Sequence, residues 1–387
     1  MLKRRPWFLR NEQPHRQIDD EAGTAHDGEG DEDDPDQRDV DTEVVSQAAA
    51  HTSKHAIAPA AIQLSSRFEV ASFVPSWFHA APSDLMAPCS RPSNVYAAAE
   101  SIPRHRAGVT ARAQPRGNDH YGVDMERRIN EVVVHYVEHG NGVPLVALHG
   151  AGVDHREIEA AIEPVAPREG YRRIYPDLPG MGATTADGVT CNNDVVTLLD
   201  HFIDHLVDGP VLLLGHSYGA YVARGVAARR PDSVLGLALV CPVGDRARDV
   251  PAPSVVRTEV DAYDELEPDQ RAGFDEYFVV RTRATARRYR EHVVPGTTLV
   301  DEAALGRIFA EWKIDVGSDT FPRPTLIVAG RRDSAAGYID ASDLLGPYPH
   351  STLAVIEDAG HALMHERPEL FGSLLVDWLD RSRTGNN

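Results

Sequence analysis

What this 387-residue chain has little of narrows its nature first. It holds three cysteines, Cys89, Cys191 and Cys241. They are too few and too scattered for a disulfide framework, and no pair has the close spacing of a zinc or redox motif. Reduced thiols in a cytoplasmic protein are the expectation. Positive charge is also scarce: 39 Lys and Arg stand against 59 Asp and Glu, a formal net charge of −20. Nucleic-acid phosphates call for clustered Lys and Arg, and so do anionic membrane surfaces, so neither is an expected partner. No run of about 18 apolar residues occurs, the length a membrane-spanning helix needs. The start, residues 1–10, is basic, but no apolar stretch follows to make it a signal peptide.

Two unlike parts follow one another. Between Asp19 and Glu43 there are 13 acidic residues and one basic one, Arg38. Like charges at that density repel, and little apolar surface is present to offset the entropy of ordering. Residues 48–124 are rich in Ala, Pro, Ser and Arg and have no sustained periodicity. Residues 1–124 are therefore expected to be a disordered extension, either genuine or an over-long gene model ahead of a start at Met125. Residues 125–387 are expected to form the folded domain.

From Met125 onwards strand-like runs recur. They are Val132–Glu138, Pro144–Leu148, Arg172–Tyr175, Val211–Leu214, Val234–Val240, Thr325–Ala329 and Thr352–Ile356. Several are continuously apolar, as buried parallel strands are. Helical spacing separates most of them. Val195, Leu199, Phe202 and Leu206 share one face, with Asn193 as the expected cap. Pro368 opens a closing amphipathic helix through Leu370, Phe371, Leu374, Leu375, Trp378 and Leu379. Strand alternating with helix predicts an α/β fold, a mostly parallel sheet covered on both faces. One stretch, about 245–320, shows no strand and holds Tyr263, Phe274, Tyr277, Phe278, Tyr289, Phe309 and Trp312; it reads as a helical lid.

The chemistry-bearing signal is Gly215-His-Ser-Tyr-Gly219, directly after a buried strand and before a helical run. A nucleophile on so sharp a turn is strained, so the residues two positions away must lack bulky side chains. Ser217 is the expected nucleophile. A serine hydroxyl needs a base, and the base an orienting acid. Asp333 follows the strand ending at Gly330, and His361 follows a later strand and Gly360. This is the chain order Ser…Asp…His. Asp245, after an earlier strand, is the rival acid. His216 is expected beneath the elbow and His365 on the surface of the final loop. An oxyanion needs preplaced N–H donors. One is expected from Tyr218 and the other from Ala151, with Gly152 as the alternative, in Leu148-His-Gly-Ala-Gly152.

His149-Gly150, Asp177-Leu-Pro-Gly-Met-Gly182, Gly215-His-Ser-Tyr-Gly219, Gly330-Arg-Arg-Asp333 and Gly360-His361 together resemble the successive motifs of the α/β-hydrolase superfamily. The resemblance covers roughly residues 126–383. It implies an eight-stranded, mostly parallel sheet with a helical cap, and a two-step covalent mechanism without metal or organic cofactor. The loop Asp177–Gly182 has a structural role in that superfamily. Serine at 217 separates the chain from the dehalogenase and epoxide-hydrolase branches, which place aspartate there. The expected activity is carboxylesterase-like, on a small-molecule substrate. Two rivals are a carbon–carbon bond hydrolase of an oxo-dienoate and a ligand-binding receptor with little turnover. The former would need a cation for its substrate's carboxylate, and Arg281, Arg283, Arg287, Arg288 and Arg290 lie in the lid stretch. Nothing in the sequence fixes an oligomeric state.

Overall fold

A computed structural model describes residues 123–245 and 250–384. The expected extension therefore lies outside the described residues, except for its last two positions. Those two belong to the fold: the first strand, β1, runs Val123–Ile129 and starts ahead of Met125. It turns back at Asn130, φ +53°, and pairs antiparallel with β2 (Val132–His139), Ile129 opposite Val132. A two-residue hairpin of this kind requires positive φ, which Asn tolerates. Four of its seven residues are charged, so it leaves no apolar run in the sequence.

Next come β3 (Val143–Leu148), α1 (His155–Ile162), β4 (Tyr171–Pro176), α2 (Asn192–Leu206), β5 (Val211–His216), α3 (Tyr218–Arg229) and β6 (Val234–Val240). The stretch that follows contributes β7 (Arg257–Thr258), α4 (Arg271–Tyr277), β8 (Val280–Arg281) and α5 (Arg283–Arg288), then a π-helical turn at Tyr289–Val293. After it come α6 (Val294–Thr297) and α7 (Glu302–Ala310). The chain closes with β9 (Thr325–Gly330), α8 (Asp340–Asp343), β10 (Ser351–Ile356), α9 (Leu363–Glu366) and α10 (Pro368–Thr384). Eight strands form one sheet in the order β1-β2-β4-β3-β5-β6-β9-β10. The pairs β1–β2 and β2–β4 are antiparallel; all pairs from β4 to β10 are parallel.

The central strands are buried on both faces, which is why they read as continuous apolar runs. Their side chains alternate between two cores. Val146, Leu148, Val211 and Leu213 join the layer of α2 and α3. Leu145, Ala147, Leu212 and Leu214 join the layer of α1 and α10. The expected cap of α2 is corrected. The N-cap is Cys191, and Asn193 sits inside the helix with its Oδ1 accepting the Asp315 amide at 3.0 Å. Asp194 instead closes the helix start by accepting the amides of Thr190 and Cys191 at 2.9 and 3.3 Å.

Among the described residues, the regular structure between β6 and β9 is mostly helical, but not free of strands. β7 and β8 form a two-residue parallel pair, too short to leave a periodic signal. Tyr263, Phe274, Tyr277, Phe278 and Tyr289 form a core of their own with Leu266 and Val293. Phe309 and Trp312 do not belong to it. They pack on Tyr218 and Tyr221 of α3, with ring centroids 4.9–5.9 Å apart. The cap is thus fastened to the helix that follows Ser217.

On the opposite face, Trp378 of α10 is fully buried, and its indole N–H donates to the Pro324 carbonyl at 3.1 Å, where β9 begins. Trp378→Ala removes that donor and leaves a large cavity. It is expected to cost about 3–5 kcal/mol, measured as a lowered midpoint in urea.

Candidate active site

Ser217 directly follows β5 and caps α3 with φ +54° and ψ −117°, a conformation that an L-residue rarely holds. The flanking glycines make it attainable. A Cβ on Gly215 would lie 2.3 Å from the Gly219 carbonyl oxygen, and one on Gly219 would lie 2.5 Å from those of Leu148 and His149. α3 therefore runs almost against the end of β3.

Ser217, Asp333 and His361 come from the carboxyl ends of three parallel strands and meet. Ser217 Oγ lies 2.9 Å from His361 Nε2, and His361 Nδ1 lies 2.9 Å from Asp333 Oδ2. The other carboxylate oxygen, Oδ1, accepts the amides of Ala335 and Ala336 at 2.9 and 2.8 Å. Asp333 is fully buried. Burial alone would raise its pKa, but the His361 charge and hydrogen bond and the two amides bring it below the usual carboxylate range. For His361 burial works downward, yet the Asp333 charge and hydrogen bond leave its pKa raised. Asp245, the rival acid, is exposed, and the position it would need on Nδ1 is taken by Asp333.

The loop after β3 lies flush against the serine. A Cβ on Gly150 would touch that of Ser217 at 3.5 Å. His149 holds this loop: its Nδ1–H donates to the Gly150 carbonyl at 2.7 Å, and its Nε2 accepts the Leu178 amide at 2.9 Å. The Gly152 amide faces the Met181 sulfur at 3.3 Å. Of the two expected loop donors, the Gly152 amide is thus engaged elsewhere.

Asp177 serves the same loops from below. Oδ1 accepts the amide and the Nδ1–H of His155, both at 2.8 Å. Oδ2 accepts the Nδ1–H of His135 at 2.8 Å and the Ala183 amide at 2.9 Å. Although burial opposes it, these bonds hold the carboxyl far below its ordinary range. Two sets of side chains bring three potential ligand atoms within 4.8 Å: His135, His155 and Asp177, and His216, Cys241 and His361. In the first set Asp177 already has four donors. In the second both His361 nitrogens face Asp333 and Ser217. Both are hydrogen-bond networks as they stand.

His216 lies beneath the elbow, with its Nε2–H donating to the His361 carbonyl at 3.0 Å. His365 departs from expectation. It belongs to α9 and is buried against Phe278, with ring centroids 6.3 Å apart. Burial pushes its pKa down to about 3. Glu157 and Tyr277 were not legible as site residues. Glu157, in the first turn of α1, reads as a helix-end acid, yet it is fully buried beside His216. The lid arginines are largely occupied. Arg283, Arg287 and Arg290 pair with Glu265, and Arg281 pairs with Asp275. Arg288 is half-buried, and its Nη1 has no hydrogen-bond partner among the described residues.

A strained serine between β5 and α3, under a cap inserted after β6, is the architecture of α/β hydrolases. The family model described as "Alpha/beta hydrolase family" matches residues 145–373, and the chain belongs to that family. It is 27% identical over 258 residues to (E)-2-((N-methylformamido)methylene)succinate hydrolase of Acinetobacter baylyi, covering 65% of this chain and 95% of that one. It is 26% identical to pimeloyl-[acyl-carrier protein] methyl ester esterase of Yersinia enterocolitica, covering 62% and 94% respectively. Among solved structures, an α/β superfamily hydrolase from Oenococcus oeni superposes with a TM-score of 0.60 at 25% identity, over 65% of this chain and 96% of that one. No helix among the described residues is long and apolar enough to cross a membrane.

The close approach at the elbow yields a direct test. Gly219→Ala forces a methyl against two backbone carbonyls and is expected to lower stability by about 1–3 kcal/mol. Thermal unfolding measures it, and an unchanged midpoint would contradict the packing described.

Proposed function

We propose that this hydrolase cleaves a small carboxylic ester through a covalent acyl-enzyme on Ser217. The observation that carries the reading is the continuous relay from Ser217 Oγ through His361 to Asp333, with both contacts at 2.9 Å. The esterase and hydrolase names of the relatives from Yersinia and Acinetobacter agree with it. In the proposed reaction His361 Nε2 takes the serine proton as Oγ bonds to the ester carbonyl carbon. The carbonyl electron pair moves onto oxygen, which the Tyr218 and Ala151 amides receive. When the pair returns, the carbon–alkoxide bond breaks and the alcohol leaves with the proton from His361. Water then attacks the acyl carbon, giving its proton to His361, and Ser217 departs with that proton. Asp333 keeps the imidazole in the required tautomer and offsets its charge in both steps.

An alkoxide leaves more readily than an amine or a carbanion, so esters are the substrates the relay handles with least further help. A fluorophosphonate probe is expected to label Ser217 and no other residue. Ser217→Ala should lose both labelling and turnover of p-nitrophenyl esters; turnover that survives would sink the reading. Asp333→Asn should lower kcat by about 10⁴-fold, whereas Asp245→Asn should leave it near the parent value.

The base must be neutral to act. Because Asp333 raises the pKa of His361, kcat/KM should rise with pH along a titration centred above 6.5, the ordinary imidazole value. A midpoint below 6.5 would mean that another group limits the reaction.

A further inference from the structure

A buried carboxylate lies behind the proposed base, and the reaction above does not use it. Glu157 of α1 is fully buried. Its Oε1 accepts the Tyr277 hydroxyl of the cap at 2.8 Å and faces His216 Nδ1 at 2.9 Å. His216 reaches onward to the His361 carbonyl at 3.0 Å. The imidazoles of His216 and His361 lie 4.8 Å apart, and the Tyr277 ring stands edge-on to that of His361 at 6.1 Å. Glu157 Oε2 has no hydrogen-bond partner among the described residues.

A half-satisfied buried charge is a poor way to hold a helix in place. Apolar residues of the same volume commonly do as well or better. Its position beside the base gives it another use. We propose that Glu157 is a positioning residue for His361: through His216 it fixes the loop that carries the imidazole, its negative charge favours the imidazolium formed during turnover, and Tyr277 ties both effects to the cap.

The groups facing this carboxylate come from several elements. His216 stands at the end of β5 and Tyr277 on α4. His365 on α9 lies at 4.0 Å and is kept neutral by burial. Beyond them lie His361 with Asp333, Cys241, Glu366 and the guanidinium of Arg288. The pair with His216 overcomes the cost of burial and holds Glu157 down to about 2, so it stays charged wherever the enzyme would be assayed. That charge is among the causes that raise the pKa of His361.

The inference rests on Ser217 and His361 acting as proposed. The full chain, labelled at Ser217 by fluorophosphonate, is the starting material. A parent protein that takes no label overturns the functional reading, not this refinement of it. Glu157→Gln keeps the shape and removes the charge. With p-nitrophenyl acetate its kcat should fall about 10- to 100-fold, as small misplacements of reacting groups do, with KM within about twofold. The acid limb of kcat/KM should move about half a pH unit lower, since the imidazolium loses a stabilising charge. Tyr277→Phe tests the same charge with less disturbance. Stripped of one donor the carboxylate acts more strongly, and the limb should move the opposite way, to higher pH. Limbs that coincide with the parent's overturn the proposal, even where kcat falls as simple repacking would make it.

Discussion

The contact on which the rest of the site depends is the near-collision of α3 with the end of β3. Only a residue without a side chain fits at 219, because a Cβ there would lie 2.5 Å from the Leu148 and His149 carbonyl oxygens. That closeness sets the start of α3 against the loop after β3. It also forces Ser217 into its strained conformation, which lifts the hydroxyl out of the turn and towards His361. Strain of this kind costs of order 1–3 kcal/mol, and the packed parallel strands on either side hold the serine against it.

Around that contact the loops are held by buried polar groups rather than by apolar packing alone. His149 links the loop after β3 to the loop after β4 by one bond from each nitrogen. Asp177 gathers four donors from β2, from the start of α1 and from its own loop. Glu366 accepts three amides, from Val279, Val280 and Gly360, and so joins the cap to the loop of His361. Burial still pushes its carboxyl up to about 7. Directional bonds suit this task because they fix position as well as proximity. A helix that slid along an apolar face would keep its burial and lose the alignment of the site.

The sequence shows most of the scaffold because buried parallel strands leave long apolar runs, and α2 and α10 leave clear helical spacing. It shows Ser217, Asp333 and His361 because each stands at a glycine-marked strand end. What it hides has no period to betray it. β1 lies at the sheet edge, and its charged residues leave little apolar pattern. β7 and β8 are two residues each. Asn193 looks like a cap, but the helix begins one residue earlier and its side chain is taken by Asp315. Glu157 and His365 are polar residues on helices, the ordinary mark of a solvated face. Their burial follows from the cap folding over them, which no local pattern encodes.

β6 and β9, between which the cap is inserted, are neighbours in the sheet. The chain leaves the sheet at one strand and re-enters at the next, about 4.8 Å away. Anything can be threaded between two such points without stretching the strands, since the cost of closing a longer excursion grows only slowly with its length. The residues proposed to break the bond belong to the strand ends, and the cap belongs to the excursion. Bond chemistry and substrate choice are thereby carried on separable lengths of chain, and a lineage can replace the second while inheriting the first.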